Sequence, residues 1–104
     1  MTDINFQTEN RTFEWDENKD KINKIKHGVS FKVATKVFED ENRIERPDYN
    51  HSQEEDRWQV IGKVHEVLFV VYTERGDVTR LISAREADDL EKEIYYGDSD
   101  LYFT

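Results

Sequence analysis

The sequence predicts an α+β domain in which a short helical hairpin and a C-terminal helix pack on an antiparallel β-sheet meander. Two observations predict this class. Apolar residues recur at spacings of three and four in two segments of the first half and in one near the C-terminus, as in amphipathic helices. Runs rich in β-branched and aromatic residues follow one another between residues 57 and 84, separated by short turn signals. The 104 residues suffice for one such domain.

The first half of the chain predicts one strand followed by the helical hairpin. Residues 13–15 alternate apolar and polar side chains, which is typical of a short strand. A helix is expected from about residue 19 to 26, capped by Asp16 or Asn18. Ile22 and Ile25 form its apolar stripe, and Gly28 ends it. The second helix begins after a Ser cap and carries an apolar face formed by Phe31, Ala34, Val37 and Phe38.

The second half predicts the rest of the sheet and the last helix. Pro47 ends one strand and Gly76 marks a tight turn between two others. A terminal helix is expected at 86–96. The strands are expected at 43–46, 57–64, 67–74 and 78–84. The apolar face of the helical hairpin should pack on inward sheet residues that include Ile61, Phe69 or Val71, and Ile82.

Composition excludes several classes of protein and site. The chain has no Cys, which excludes disulfides, zinc–thiolate sites and thiol nucleophiles. Its longest apolar run, at 67–71, is far shorter than the roughly 20 residues of a membrane helix. The first 12 residues are polar and acidic, unlike a secretory signal. These features predict a soluble, single-domain protein without a membrane span and with no sign of export.

The charge pattern leaves room for a basic face on an acidic chain. The net charge is −9, which by itself argues against a nucleic-acid partner. Residues 19–36, however, hold six Lys and one Asp, and residues 57–85 hold five basic and three acidic residues. Acidic stretches separate these two basic ones, so the average charge does not decide the question.

Several short blocks resemble the BrnT family of toxins. They are FEWD at 13–16, NK at 18–19, KHGVSF at 26–31, EDRW at 55–58, VYTERG at 71–76 and ISAR at 82–85. Their common order makes the resemblance specific, although each block alone is a weak signal. The resemblance covers residues 13–96, which leaves a polar N-terminal extension at 1–12 and an acidic tail at 97–104. It implies a RelE-like fold and a cytoplasmic ribonuclease toxin that pairs with a BrnA-type antitoxin.

If RNA is the substrate, the residue set favours cleavage without a metal or cofactor. In that chemistry the 2′-hydroxyl of RNA attacks the adjacent phosphate, and the enzyme moves protons and stabilises phosphate charge. Arginine suits the phosphate because its planar guanidinium donates two parallel hydrogen bonds. His27 is the strongest candidate acid or base, since imidazole titrates near neutral pH. Glu74 is an alternative base, or else an ion-pair partner of Arg75 or Arg80.

The predicted site residues fall into two groups. The catalytic candidates are His27, Arg57, Glu74, Arg75 and Arg85, with Arg85 favoured because it directly follows an apolar strand. The candidates for RNA binding are Lys26, Trp58, Arg80 and Tyr95. The two aromatic residues would stack on unpaired bases, or belong to the core instead.

A second function of a different class remains open from the sequence. The chain could be a catalytically weak or inactive relative that keeps the fold as a partner-binding or regulatory module. The net charge of −9 favours this alternative, whereas the arginine-containing blocks favour the ribonuclease. In either case the expected partner is a BrnA-like antitoxin, and operator DNA is reached only through that antitoxin.

Overall fold

The computed structural model describes residues 2–49 and 55–97. Its helices are α1 (Glu17–His27), α2 (Phe31–Ala34), which continues into a 3₁₀ helix (Thr35–Glu39), and α3 (Asp89–Tyr96). Its strands are β1 (Asp3–Gln7), β2 (Thr12–Asp16), β3 (Ile44–Pro47), β4 (Arg57–Lys63), β5 (Val67–Arg75) and β6 (Val78–Glu86). All but Gly97 of the expected acidic tail lies outside the described residues. Within the described ranges, no helix is long and apolar enough to cross a membrane.

The six strands form one sheet in the order β1-β2-β6-β5-β4-β3. Strands β3 to β6 make the expected antiparallel meander. The sheet also contains a feature that the sequence did not indicate, because β2 lies parallel to β6, with Thr12 opposite Val78 and Glu14 opposite Arg80. Strand β1 then pairs antiparallel with β2 and forms one edge of the sheet.

Apolar side chains cover both faces of this sheet. The first core lies under the helical hairpin and contains the whole predicted stripe, Phe31, Ala34, Val37 and Phe38, together with Phe13, Trp15, Val60, Leu68, Val70, Tyr72, Leu81 and Ala84. The second core lies on the other face, under α3, and contains Ile61, Val67, Phe69, Val71 and Ala87, with Ile82 packed against it.

The expected contacts of the hairpin were therefore assigned to the wrong face of the sheet. The stripe of α2 and the 3₁₀ helix packs on Val60, Val70 and Leu81, not on their strand neighbours Ile61, Val71 and Ile82. The reason lies in β5, where every residue from Val67 to Thr73 is buried. A strand that is apolar on both faces carries no alternation to show which side meets the helices.

Helix α1 is held to the sheet by a polar residue. Its expected apolar stripe is exposed, since Ile22 and Ile25 retain 54% and 87% of their accessible surface. Asn23 is the buried residue of the helix. Its Nδ2 donates to the carbonyl oxygens of Ala84 (2.7 Å) and Val29 (2.9 Å), and its Oδ1 accepts from the backbone N–H of Ala84 (3.1 Å). The amide thus joins α1, the hairpin turn and β6.

The ends of the helices follow the predicted signals. Asp16 caps α1 by accepting hydrogen bonds from the backbone of Asn18 and Lys19, and Ser30 caps α2 through the N–H of Val33. Gly28 ends α1 with a positive φ of 72°, a conformation that glycine adopts without strain.

The helical hairpin approaches the sheet closely at Gly62. A Cβ added to Gly62 would lie 2.8 Å from Cβ of Val37 and 3.1 Å from its carbonyl oxygen. Glycine is therefore required at this position for close packing of the 3₁₀ helix on β4.

Asp40 ties three elements together at one end of the molecule. Its carboxylate accepts hydrogen bonds from the hydroxyl of Tyr95 on α3 (2.5 Å) and from the backbone N–H groups of Lys63 (2.7 Å) and Asn42 (2.9 Å). Although burial opposes the charge, these hydrogen bonds hold the pKa of Asp40 below its usual range. Burial and the bond to Asp40 raise the pKa of Tyr95 to about 12.

The first prediction concerns the Asn23 amide. Asn23→Ala should lower the free energy of unfolding by about 2–4 kcal/mol, because it leaves buried backbone groups of Val29 and Ala84 without partners. Urea denaturation measures the change. Asn18→Ala, at an exposed position of the same helix, is the matched control. Equal stability of the two variants would contradict the anchoring role of Asn23.

The second prediction concerns acid. Because the folded-state pKa of Asp40 is depressed, its stabilisation is complete above the unfolded pKa of about 4 and is lost as pH falls further. Asp40→Asn should cost about 1–2 kcal/mol at pH 7 and much less at pH 3. Denaturation at both pH values tests this, with Asp77→Asn in the exposed β5–β6 turn as control. A cost that does not change with pH would contradict the assignment.

Candidate functional site

Five of the seven arginines of the chain lie on one face of the sheet. Side chains alternate between faces along a strand, and directly paired residues point to the same face. Arg57 and Arg80 are both paired with Thr73, and Arg85 is paired with Phe69 of the second core. We call this surface the arginine face, and its arginines are Arg46, Arg57, Arg75, Arg80 and Arg85.

Helix α3 covers one end of the arginine face, where Arg85 binds the helix through Glu91. The Arg85 guanidinium donates to both carboxylate oxygens of Glu91 (2.7 and 2.9 Å) and lies 4.2 Å from the centre of the Phe69 ring. The bond to Glu91 raises the pKa of Arg85. Glu91 also completes the capping box of α3 with Asp88. These contacts give Arg85 a structural role at the start of α3.

Arg75 lies on the part of the face that α3 leaves open. Its guanidinium contacts the Glu55 carboxylate at 3.1 and 3.3 Å and lies 4.0 Å from Glu14. The hydrogen bond from Arg75 lowers the pKa of Glu55, and the charges of Arg57 and Arg80 add to this effect. Three arginines from three neighbouring strands thus converge on one small area.

Arg80 occupies the centre of this area and is bonded to two carboxylates. Glu14 on β2 accepts a short hydrogen bond from Nη1 of Arg80. Asp3 on β1 accepts from Nη1 and Nη2, each at 3.2 Å. The side chains of Arg80 and Glu14 are 15% and 19% exposed, whereas that of Asp3 is 55% exposed. The hydrogen bond from Arg80 lowers the pKa of Asp3.

This arrangement can bind phosphate and transfer a proton. The guanidinium groups of Arg75 and Arg80 present planar, bidentate donors, the geometry that suits phosphate oxygens. Glu14 lies between these two arginines and has a carboxylate that can accept a proton. The sequence did not single out Glu14. Its signals are its place in the FEWD block and its position between Phe13 and Trp15, where it points away from the core. Its arginine neighbours come from the parallel pairing of β2 with β6.

The remaining predicted residues lie away from the open part of the arginine face. Glu74 lies on the opposite face of the sheet, where its carboxylate accepts a hydrogen bond from the Thr79 hydroxyl. Its ion-pair partner is Arg11, at 3.3 Å, and not Arg75 or Arg80. Trp58 packs against the first core, as its alternative interpretation expected. Tyr95 lies on α3 and bonds Asp40.

His27 and Lys26 are exposed at the C-terminal end of α1. Gly28, the next residue, lines a groove of about 460 Å³ together with His65 and Glu66 of the β4–β5 turn. Arg57 lies at the other end of β4, six residues from Lys63, which corresponds to about 20 Å along a strand. The structure therefore does not bring His27 together with Arg57, Arg75 and Arg80.

Lysines and arginines occupy different surfaces of the chain. Six of the eight lysines belong to residues 19–36, which form the helical hairpin on the other side of the sheet. The two basic stretches of the sequence thus lie on opposite sides of the sheet. In the ranges 2–49 and 55–97, no three His, Cys, Asp or Glu side chains cluster in a way that could hold a metal ion.

Comparison with known proteins identifies the family. A family model described as "Ribonuclease toxin, BrnT, of type II toxin-antitoxin system" matches residues 15–91. The structure is similar to the crystal structure of the Brucella abortus ribonuclease toxin BrnT, with 26% sequence identity and a TM-score of 0.58 over 72% of this chain and 94% of that chain. Among curated proteins, no sequence matches the chain. The family match begins at Trp15, near the end of β2, ends at Glu91 in the first turn of α3, and excludes β1.

The resemblance seen in the sequence blocks is thereby confirmed over most of the fold, and the six-stranded α+β structure is similar to a solved BrnT toxin. The chain belongs to the BrnT family, the ribonuclease toxins of type II toxin–antitoxin systems.

Proposed function

We propose that this chain cleaves RNA on the arginine face without a metal ion, by attack of the 2′-hydroxyl on the adjacent phosphate. One observation carries the proposal. Arg57, Arg75 and Arg80 converge from three strands on the part of the sheet that α3 leaves open, with the Glu14 carboxylate among them. We infer a RelE-like fold from the membership in the BrnT family, and the helical hairpin packed on an antiparallel meander supports this inference.

The arginines would bind the scissile phosphate. Arg75 and Arg80 each offer two donors in one plane, and both lie within reach of Glu14. The phosphate gains negative charge in the transition state, and fixed cationic donors stabilise that charge more than they stabilise the ground state. An incoming phosphate competes for the same donors that now bind carboxylates, so binding would free Glu14 from Arg80.

Glu14 would then move the proton. Its carboxylate accepts the 2′-hydroxyl proton as the 2′-oxygen bonds to phosphorus, and the protonated carboxyl gives that proton to the leaving 5′-oxygen as the phosphorus–oxygen bond breaks. The products are a 2′,3′-cyclic phosphate and a 5′-hydroxyl, and no proton is gained or lost overall. His27, the strongest acid or base candidate from the sequence, stays a prediction, and it lies away from this cluster.

Membership in a type II system implies an antitoxin partner. We propose that the partner is a BrnA-like antitoxin that carries its own DNA-binding segment. The charge of the chain supports this division, because a protein of net charge −9 is poorly suited to bind duplex DNA by itself. The alternative of an inactive relative is favoured by the carboxylates that already occupy Arg75 and Arg80, and the experiment on cleavage decides between the two.

The third prediction concerns cleavage. The purified chain should degrade single-stranded RNA in the presence of EDTA and leave 2′,3′-cyclic phosphate ends. Arg75→Ala and Glu14→Gln should each lower the rate at least about tenfold, a loss of 1.4 kcal/mol in the transition state. Arg43→Ala is the matched control, because Arg43 pairs with Glu45 and lies outside the arginine face.

Three results of that experiment would contradict the proposal in different ways. Activity abolished by EDTA and restored by a divalent ion would exclude the metal-free mechanism. Activity lost equally in Arg43→Ala would exclude the arginine face as the site. A folded wild-type chain that leaves RNA intact would favour the inactive, partner-binding alternative.

The fourth prediction concerns DNA. In a gel shift with duplex DNA from its own promoter region, the chain alone should give no complex at physiological salt, whereas the chain with its antitoxin should. The reason is that the partner supplies the DNA contacts and the acidic chain does not. Tight binding of duplex DNA by the lone chain would contradict this arrangement.

A further inference from the structure

Strand β1 adds a carboxylate to the arginine face from outside the part of the chain that matches the family. The family match begins at residue 15, whereas β1 comprises Asp3–Gln7. Its five residues pair with β2, and Asp3 and Asn5 lie on the same face as Glu14 because Asn5 is directly opposite Glu14. The extension therefore reaches the area where Arg80 lies.

The Asp3 carboxylate binds the Arg80 guanidinium in the paired geometry that a phosphate group would use. Oδ1 and Oδ2 of one planar carboxylate accept from Nη2 and Nη1 of one guanidinium, each at 3.2 Å. This paired geometry is the one in which arginine binds both carboxylates and phosphates. Glu14 approaches Nη1 alone, so Asp3 is the partner of Nη2.

We propose that Asp3 occupies a phosphate-binding position at Arg80, and that an RNA phosphate must displace this carboxylate to bind there. The inference rests on the proposed RNA-binding role of the arginine face and adds a residue that lowers its affinity. In the resting protein, β1 thus restrains the site with a carboxylate of the chain itself.

Displacement requires only a rotation of the Asp3 side chain. The backbone of β1 is fixed by its pairing with β2, by packing of Ile4 and Phe6 on the first core, and by the bond from the Glu17 N–H to the Thr2 carbonyl (3.0 Å). The Asp3 carboxylate itself is 55% exposed and can turn into solvent. Exposed ion pairs contribute little to stability and are screened by salt, so a phosphate of a polyanion can compete.

The test measures binding of a fluorescein-labelled, eight-nucleotide single-stranded RNA with a non-cleavable 2′-deoxy linkage at each position that is cut. Asp3→Asn should bind about 3–10-fold more tightly than wild type at low salt. One additional phosphate contact should also steepen the slope of log affinity against log salt by about 0.7. Fluorescence anisotropy between about 0.05 and 0.3 M salt gives both quantities.

Glu9→Gln is the matched control. It removes one negative charge from the same extension, at an exposed position in the β1–β2 turn that has no contact with Arg80. Its affinity should stay within about twofold of wild type, because screening weakens charges that are not in contact. Amide spectra of both variants should show that β1 remains paired with β2.

A second pair of variants shows whether the effect passes through Arg80. In an Arg80→Gln background, Asp3→Asn should no longer change the affinity, since its partner is gone. Arg80→Lys serves the same purpose if Arg80→Gln does not fold. Lysine keeps the charge but cannot bind a phosphate through two parallel bonds, so the effect of Asp3→Asn should shrink.

The outcomes separate this inference from the proposed function. If Arg57→Ala and Arg75→Ala weaken RNA binding but Asp3→Asn does not strengthen it, the restraint by β1 is wrong and the RNA-binding role of the face stands. Equal gains in Asp3→Asn and Glu9→Gln would likewise refute it, as would an unchanged gain without Arg80. If neither wild type nor Asp3→Asn binds RNA, both the restraint and the proposed function are wrong.

Discussion

The side-chain amide of Asn23 makes the two backbone hydrogen bonds to β6 that a neighbouring strand would otherwise make. Strand β2 pairs with β6 only from Thr12 to Glu14, so within the described residues Ala84 has a strand beside it on the β5 side but none on the β2 side. Asn23 fills that place, accepting from the Ala84 N–H and donating to its carbonyl as a neighbouring strand would. Through Val29 the same amide fixes the turn into α2. The position of the helical hairpin over the first core depends on this contact.

Local signals predicted the elements after residue 12, whereas strand β1 in the expected polar extension and the long-range pairing of strands were not predicted. Caps at Asp16 and Ser30 and the glycine at the end of α1 act within a few residues, so the sequence displays them directly. The prediction that Ile22 and Ile25 form the buried stripe of α1 was wrong, although their spacing is typical of an apolar helix face. The buried residue that anchors this helix is the polar Asn23. The parallel pairing of β2 with β6 leaves no local trace at all.

The candidate site was predictable as a set of residue types but not as an arrangement. Arginines on adjacent strands suggested a phosphate site, and the register places Arg57, Arg75 and Arg80 on one face. Glu74 precedes Arg75 in sequence, yet the alternation of β5 sends it to the opposite face. Glu14 and Asp3 join the arginines only through pairings between distant strands, so the FEWD block that contains Glu14 did not show that it lies beside them, and no motif contains Asp3.

The order of the strands also sets when the structure can form during synthesis. Strand β6 joins the β1–β2 pair to the rest of the sheet. Ala84 on β6 lies 61 positions after Asn23, whose side chain bonds it. Contacts between distant residues form late, after the intervening chain is available. A nascent chain therefore lacks both the anchored helical hairpin and the assembled arginines until β6 has been translated. For a member of a ribonuclease toxin family, this delay means that the arginine face cannot form while β6 is still inside the ribosome.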